Sequence, residues 1–427
     1  MNNIRINRKI QQLQTTNSLF KLFYEEEAQF DSVNLSTLLN KLSKIIFWKC
    51  FSPCEKKILK IVSLIPLYDF APQGIANILN AFSKWPISIH KTSYAEAIKH
   101  LIQKIPYRAH EFNPQEIANT LNSLNKWPEC LKEASSQKAI DALVNCIPEK
   151  AHGFNTQEIA NTLNSLSKWP ECVKEDFYQK AMDALVNCIP EKSHGFNTQD
   201  ISNTLNALSK WPQWMKRVSY QKAMDALVSC IPEKACDFKA QHISNTLNAL
   251  SKWPQWMQQA SYQKAMDALV DCIPERAHDF NPQGIASTLN ALSKWSSDRL
   301  TERVFYVKAR DVLVSRISQK AHIFKAREIS NTLNALSKWP ERTRGVFYLN
   351  AIDALIDCIP EKSHDFNAQE IANTLNSLSK WPECMKKSVY SKAIDMVVEC
   401  IPERACDFKA QDISKYTQRI EQMAPMY

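Results

Sequence analysis

The chain has 427 residues, 44% of them hydrophobic and 23% charged, with a formal net charge of +9 and only 5 glycines. So few residues free to adopt positive φ exclude Gly-rich phosphate cradles and most sharp catalytic turns, and direct the reading toward helices. The sequence holds no long apolar run and no signal-peptide core, which predicts a protein that inserts into no membrane and works in the cytoplasm.

In chain order, residues 1–29 open with Arg5, Arg8, Lys9 and Lys21 before any acid, and read as a basic, solvated N-terminal segment. Residues 30–69 begin with "FDSVNLSTLLNKLSK" from Phe30, a weakened copy of a phrase that then recurs; they are expected to cap the array. Residues 70–407 form eight full repeats. Phe70, Phe112, Phe154, Phe196, Phe238, Phe280, Phe324, Phe366 and Phe408 mark the period, 42 residues everywhere except one gap of 44. In residues 408–427 Thr417 replaces a core Leu and Gln418, Arg419 and Glu421 add polarity, so a C-terminal capping helix is predicted.

Within the unit starting at Phe154, Asn155 and Glu158 have capping-box spacing, and Ile159, Leu163 and Leu166 share one line on a 3.6-residue helix with Trp169 at its flank. Pro170 ends this helix, here termed helix B. Tyr178, Ala181, Met182, Leu185, Val186, Cys188 and Ile189 form the apolar face of a second helix, helix A, which Pro190 is expected to close. Strand periodicity is absent. Two short helices cannot bury their own faces, so neighbouring units must stack. The fold class is therefore all-α: an α-solenoid of about nine two-helix repeats of 42 residues, a right-handed superhelix roughly 80–100 Å long, with the repeated Trp wedged between layers.

Away from the core line, helix B repeats a second set of letters. Lys84, Lys126, Lys168, Lys210, Lys252, Lys294, Lys338 and Lys380 supply one cation per full copy. Asn119, Asn122, Asn161, Asn164, Asn203, Asn206, Asn245 and Asn248 accompany them, and Ser165 is expected on the same exposed face. Acids such as Asp141, Asp183, Asp225 and Asp267 lie on helix A instead. Stacking would align the lysines into one cationic strip suited to a single-stranded polyanion: Lys neutralises phosphate, and Asn donates to and accepts from sugar or base edges. The structural alternative is that Lys complements the helix dipole and Asn bonds its neighbour in a ladder. Trp214 and Trp256, in the variable loops, are candidate partner contacts.

Catalysis finds little support. His110, His152, His194, His278, His322 and His364 share a slot with Cys236 and Cys406, an interchange that predicts a buried linker side chain and not a general base. Cys146, Cys188, Cys230, Cys272, Cys358 and Cys400 each precede Ile-Pro on the apolar stripe and read as small core hydrophobes in a reducing compartment. No metal site, cofactor or small-molecule substrate is expected, and the chain reads as a monomer without enzymatic activity.

"FNPQEIANTLNSLNKWP" at Phe112–Pro128 resembles the signature phrase of octotricopeptide repeats, and its wording is similar to that of a repeat family of unassigned function in intracellular, host-associated bacteria. The first resemblance implies an α-solenoid that binds RNA; the second would suit an effector delivered into a host cell. The expected function is non-enzymatic binding of single-stranded RNA along helix B. The alternative is a protein–protein interaction scaffold.

Overall fold

The computed structural model describes residues 2–46, 51–85, 92–127, 133–169, 176–211, 218–253, 259–294, 304–339, 346–381 and 388–408. The C-terminal capping helix, the two-residue insertion after Trp295, and the loop residues Trp214 and Trp256 lie outside them. The described residues are almost wholly helical and contain no strand. By their packing they fall into two units, Met1–Asp200 with Lys210–Ala226, and Ile201–Ser209 with Leu227–Tyr427.

In the first unit, helices Asn2–Gln12, Ser32–Ile45, Pro72–Phe82, Pro114–Leu124 and Thr156–Leu166 lie side by side in one layer, each against the next. Helices Phe51–Val62, Thr92–Arg108, Ala134–Asn145 and Asp176–Asn187 form a second layer in the same succession. The second unit repeats this arrangement. Ala240–Leu250, Pro282–Lys294, Ala326–Leu336 and Ala368–Leu378 make its B layer; Ala260–Asp271, Val304–Lys320, Val346–Asp357 and Ser388–Glu399 make its A layer. The chain is an all-α solenoid, built as the periodicity predicts.

Helix B starts where its letters say. Asn155 Oδ1 accepts from the Glu158 amide and Glu158 Oε2 accepts from the Asn155 amide, both at 2.9 Å, and the same reciprocal pair closes Asn113 with Glu116 and Asn367 with Glu370. Asn155→Ala is therefore expected to cost about 1 kcal/mol, read as a lowered midpoint in urea unfolding. A change within experimental error would remove the cap from the list of stabilising contacts.

The core line is fully buried. Ile159, Leu163 and Leu166 meet no solvent, nor do Tyr178, Ala181, Met182 and Leu185 of the facing helix A. Between neighbouring B helices sit small residues: Ala160, Ser202, Ser244 and Ser330 at one position, Ser165, Ala207, Ala249 and Ala335 at another. This corrects the placement of Ser165 on the outer face. It is 0% exposed, and its hydroxyl donates back to the Asn161 carbonyl at 2.8 Å. Only a side chain that short permits backbones to approach closely at this point.

Two periodic polar contacts join successive repeats. The Tyr178 hydroxyl donates to Asp141 Oδ1 at 3.2 Å, Tyr306 to Asp267 at 3.2 Å and Tyr390 to Asp353 at 3.1 Å, so the helix A acids serve packing. Lys192 Nζ donates to the carbonyls of His152 and Phe154 at 2.7 and 2.6 Å, and Lys150, Lys320 and Lys362 make equivalent bonds to His110, His278 and His322.

Pro190 does not close helix A as expected. It occupies the first turn of a further short helix, Ile189–Lys192, and the break falls two residues earlier at Cys188. Where Ser318 replaces the proline, Val304–Lys320 runs unbroken, but so does Thr92–Arg108 with Pro106 inside it, so the proline alone does not set the break.

The N-terminal segment is not solvated. Asn2–Gln12 and Thr16–Glu26 are helices whose Ile6, Ile10, Leu19 and Phe23 are buried. Arg5 and Lys9 both reach Glu26 at 2.6 Å, and Asn34 Nδ2 donates to the Asn3 carbonyl at 2.9 Å.

Candidate nucleic-acid interface

Six of the B helices leave their last turn through shortened, i to i−3 hydrogen bonds, as where the Lys168 amide donates to the Ser165 carbonyl at 3.1 Å and the Trp169 amide to Leu166 at 3.1 Å. The tightened turn drives Trp169 inward and Lys168 outward. In the described repeats Trp85, Trp127, Trp169, Trp211, Trp253, Trp339 and Trp381 are all buried, while Lys84, Lys126, Lys168, Lys210, Lys252, Lys294 and Lys338 are exposed and Lys380 is half-buried.

Among the described residues, Lys84, Lys126, Lys168, Lys210 and Lys294 form no ion pair with a carboxylate. Lys84 and Lys168 have other cations for neighbours. The protein around Lys168 withholds water from its ammonium, and Lys126 and Lys210, one repeat either side, add repulsion; both effects hold its pKa below the ordinary 10.5. Desolvation depresses Lys84 in the same way, with Lys44 adding its charge, and desolvation alone depresses Lys210 and Lys294. Lys44 is exposed and belongs to the weakened first copy, so the row in the first unit begins one repeat earlier than the full copies suggest. Its signal was present in the sequence as the Ser-Lys pair that ends "FDSVNLSTLLNKLSK". In the second unit, Lys252 Nζ reaches back to the Ser209 hydroxyl of the preceding repeat at 3.3 Å.

The asparagines flank the lysines. Asn119, Asn122, Asn161, Asn164, Asn203, Asn206, Asn245 and Asn248 are all half-buried. Among the described residues none of these eight side-chain amides has a hydrogen-bond partner, so they form no ladder from helix to helix. Each leaves a donor and an acceptor facing outward beside a cation.

The histidine slot departs from expectation. His110, His152, His194, His278, His322 and His364 are exposed, as are Cys236 and Cys406. Their backbone carbonyls, and not their rings, carry the packing contact. Cys188, Cys230 and Cys400 are buried and Cys146, Cys272 and Cys358 half-buried, with burial pushing up the thiols of Cys146, Cys188 and Cys358. Among the described residues no three His, Cys, Asp or Glu side chains gather as metal ligands, and no described helix is long and apolar enough to cross a membrane.

Several solved structures and structural models are distantly similar to this chain. A homology model of the full-length AP-3 complex in an intermediate open conformation is 9% identical over 99% of this chain and 83% of its own, with a TM-score of 0.34. A designed armadillo repeat protein is 17% identical over 62% of this chain and 99% of its own, at 0.21, and SYS-1 is 11% identical over 92% and 90%, at 0.25. At such scores the helical-repeat architecture stands on this chain's own packing. No curated protein matches the chain. Seven segments, 68–79, 96–121, 133–163, 183–205, 263–289, 309–333 and 363–375, match a family model described as a protein of unknown function, DUF1601, so the repeats of this chain are similar to those of a repeat family with no assigned activity.

Proposed function

We propose that this chain is a non-enzymatic helical-repeat protein that binds single-stranded RNA along the ends of its B helices. The observation that carries the reading is the lysine row: one cation per repeat, without carboxylate partners among the described residues at five of eight positions, with Lys126 and Lys210 adding their charge at Lys168 between them. Cations held at a desolvation cost are stabilised by a polyanion that runs past the lysines of a unit. The half-buried Asn amides offer hydrogen bonds to sugars and base edges, where a single strand exposes them. The resemblance of Phe112–Pro128 to the octotricopeptide phrase supports the same ligand class. Near-identity of the B letters between repeats argues for weak sequence preference.

A protein partner is the second reading. It is favoured by exposed apolar side chains in the second unit at the starts of A helices: Val304 is 82% and Phe347 67% exposed, with Leu349 and Val389 beside them in sequence position. Fluorescence titration with a random single-stranded RNA pool at two salt concentrations separates the two. RNA binding predicts micromolar or tighter affinity that falls steeply with salt, by about −0.7 in log–log slope for each phosphate contact. Weak, salt-insensitive binding would reject the RNA reading.

A further inference from the structure

Cys236 and Cys272 occupy two slots that lie 36 residues apart in successive repeats. Elsewhere the first slot holds histidine, and its ring touches the cysteine of the second: Cys188 Sγ lies 3.9 Å from His152 Nδ1, and Cys400 Sγ lies 3.9 Å from His364 Nδ1. A backbone tie keeps the slots in register. Lys192 donates to the His152 carbonyl at 2.7 Å and Arg404 to the His364 carbonyl at 3.1 Å; at the same position Arg276 donates to the Cys236 carbonyl. The frame that brings imidazole and thiol into contact in two repeats therefore brings two thiols together here. Cys236 is exposed and Cys272 half-buried. Burial, with Cys236 alongside, pushes the Cys272 thiol up to about 11.

We propose that Cys236 and Cys272 are a reversible dithiol–disulfide pair, oxidised by exchange with a low-molecular-weight disulfide. The exposed Cys236 reacts first. Its thiolate attacks one sulfur of the small disulfide, forming a mixed disulfide and expelling one thiolate, which takes up a proton. Cys272 then gives its proton to water and attacks Cys236 Sγ, expelling the second small thiol. Two protein thiols are oxidised by two electrons and one external disulfide is reduced to two thiols. The sulfurs must close to ~2.05 Å, which side-chain rotation from contact distance supplies. The product ties the end of helix Ala260–Asp271 to the linker before helix Ala240–Leu250, away from the lysine row at the other end of that B helix.

The full chain is equilibrated with mixtures of reduced and oxidised glutathione at mildly alkaline pH, the remaining thiols are alkylated, and peptides are mapped by mass spectrometry. The expected product is one cross-linked peptide pair, Cys236 with Cys272, two hydrogens lighter than the reduced pair. Cys272→Ser should leave glutathione stably attached at Cys236. Cys236→His restores the side chain found in the neighbouring repeats, so it should fold and leave Cys272 unlinked. Glutathione retained on Cys236 in the unaltered chain, linkage of either cysteine elsewhere, or no reaction at Cys236 would overturn the proposal.

Discussion

Reversing Lys126, Lys210 and Lys294 together, each to Glu, is expected to lower single-stranded RNA affinity on the order of 100-fold or more at low salt, and to reduce the salt slope by about 2. All three lysines are exposed, and none has a carboxylate partner among the described residues, so their substitution removes no internal ion pair and the helices should persist. The comparison variant reverses Lys180, Lys222 and Lys264. These are also exposed, but they lie on A helices, and their reversal lowers the net charge of +9 by the same amount. If the strip is the binding surface, the first variant loses RNA and the second keeps most of its affinity. Equal losses would mean that net charge alone attracts the ligand, and the row would have no special role. The pH dependence has a definite sign. Lys84, Lys168, Lys210 and Lys294 hold pKa values below the ordinary 10.5, so they lose charge earlier than exposed lysines as pH rises, and RNA affinity should begin to fall before pH reaches that value.

Trp253→Ala is expected to produce the largest loss of stability, about 3–5 kcal/mol, seen in urea unfolding followed by helical circular dichroism. The indole is 1% exposed and lies at the tightened exit of its B helix, where the Trp253 amide donates to the Leu250 carbonyl at 3.1 Å. Its removal leaves a cavity that a continuous stack has few ways to fill. In a quasi-one-dimensional array each repeat is stabilised mainly by its neighbours, so the transition should also broaden as coupling across this repeat weakens. Trp253→Phe should recover much of the loss. A cost below about 1 kcal/mol for the alanine variant would show that the ring fills no slot between layers.

The architecture was legible in the letters because it rests on short-range rules. Asn155 with Glu158 marks a helix start, the Ile159, Leu163 and Leu166 spacing marks a buried stripe, and the 42-residue recurrence requires stacking. The lysine row was legible for the same reason: identical positions in stacked units face the same way. Position within the stripe was not enough for Ser165, whose helical-wheel angle points outward although the residue is fully buried. The histidine slot was misread because its interchange with cysteine suggested burial, whereas the feature common to the slot is a backbone carbonyl that accepts from the Lys or Arg of the next repeat.

By itself the amino-acid sequence determined the all-helical solenoid, the starts of its B helices and its one-cation-per-repeat spacing, since propensity, periodicity and helix capping act within a few residues of chain. Only the tertiary structure decided which polar groups are left without partners. It joined Arg5 and Lys9 to Glu26 and buried the apolar face of a segment that reads as a basic tail, left Lys84, Lys126, Lys168, Lys210 and Lys294 without carboxylate partners among the described residues, and denied the asparagines a ladder. It also placed the Cys236 slot against the Cys272 slot. Charge pairing and hydrogen-bond satisfaction depend on groups some forty residues apart in sequence, and packing between repeats is what brings those groups within reach.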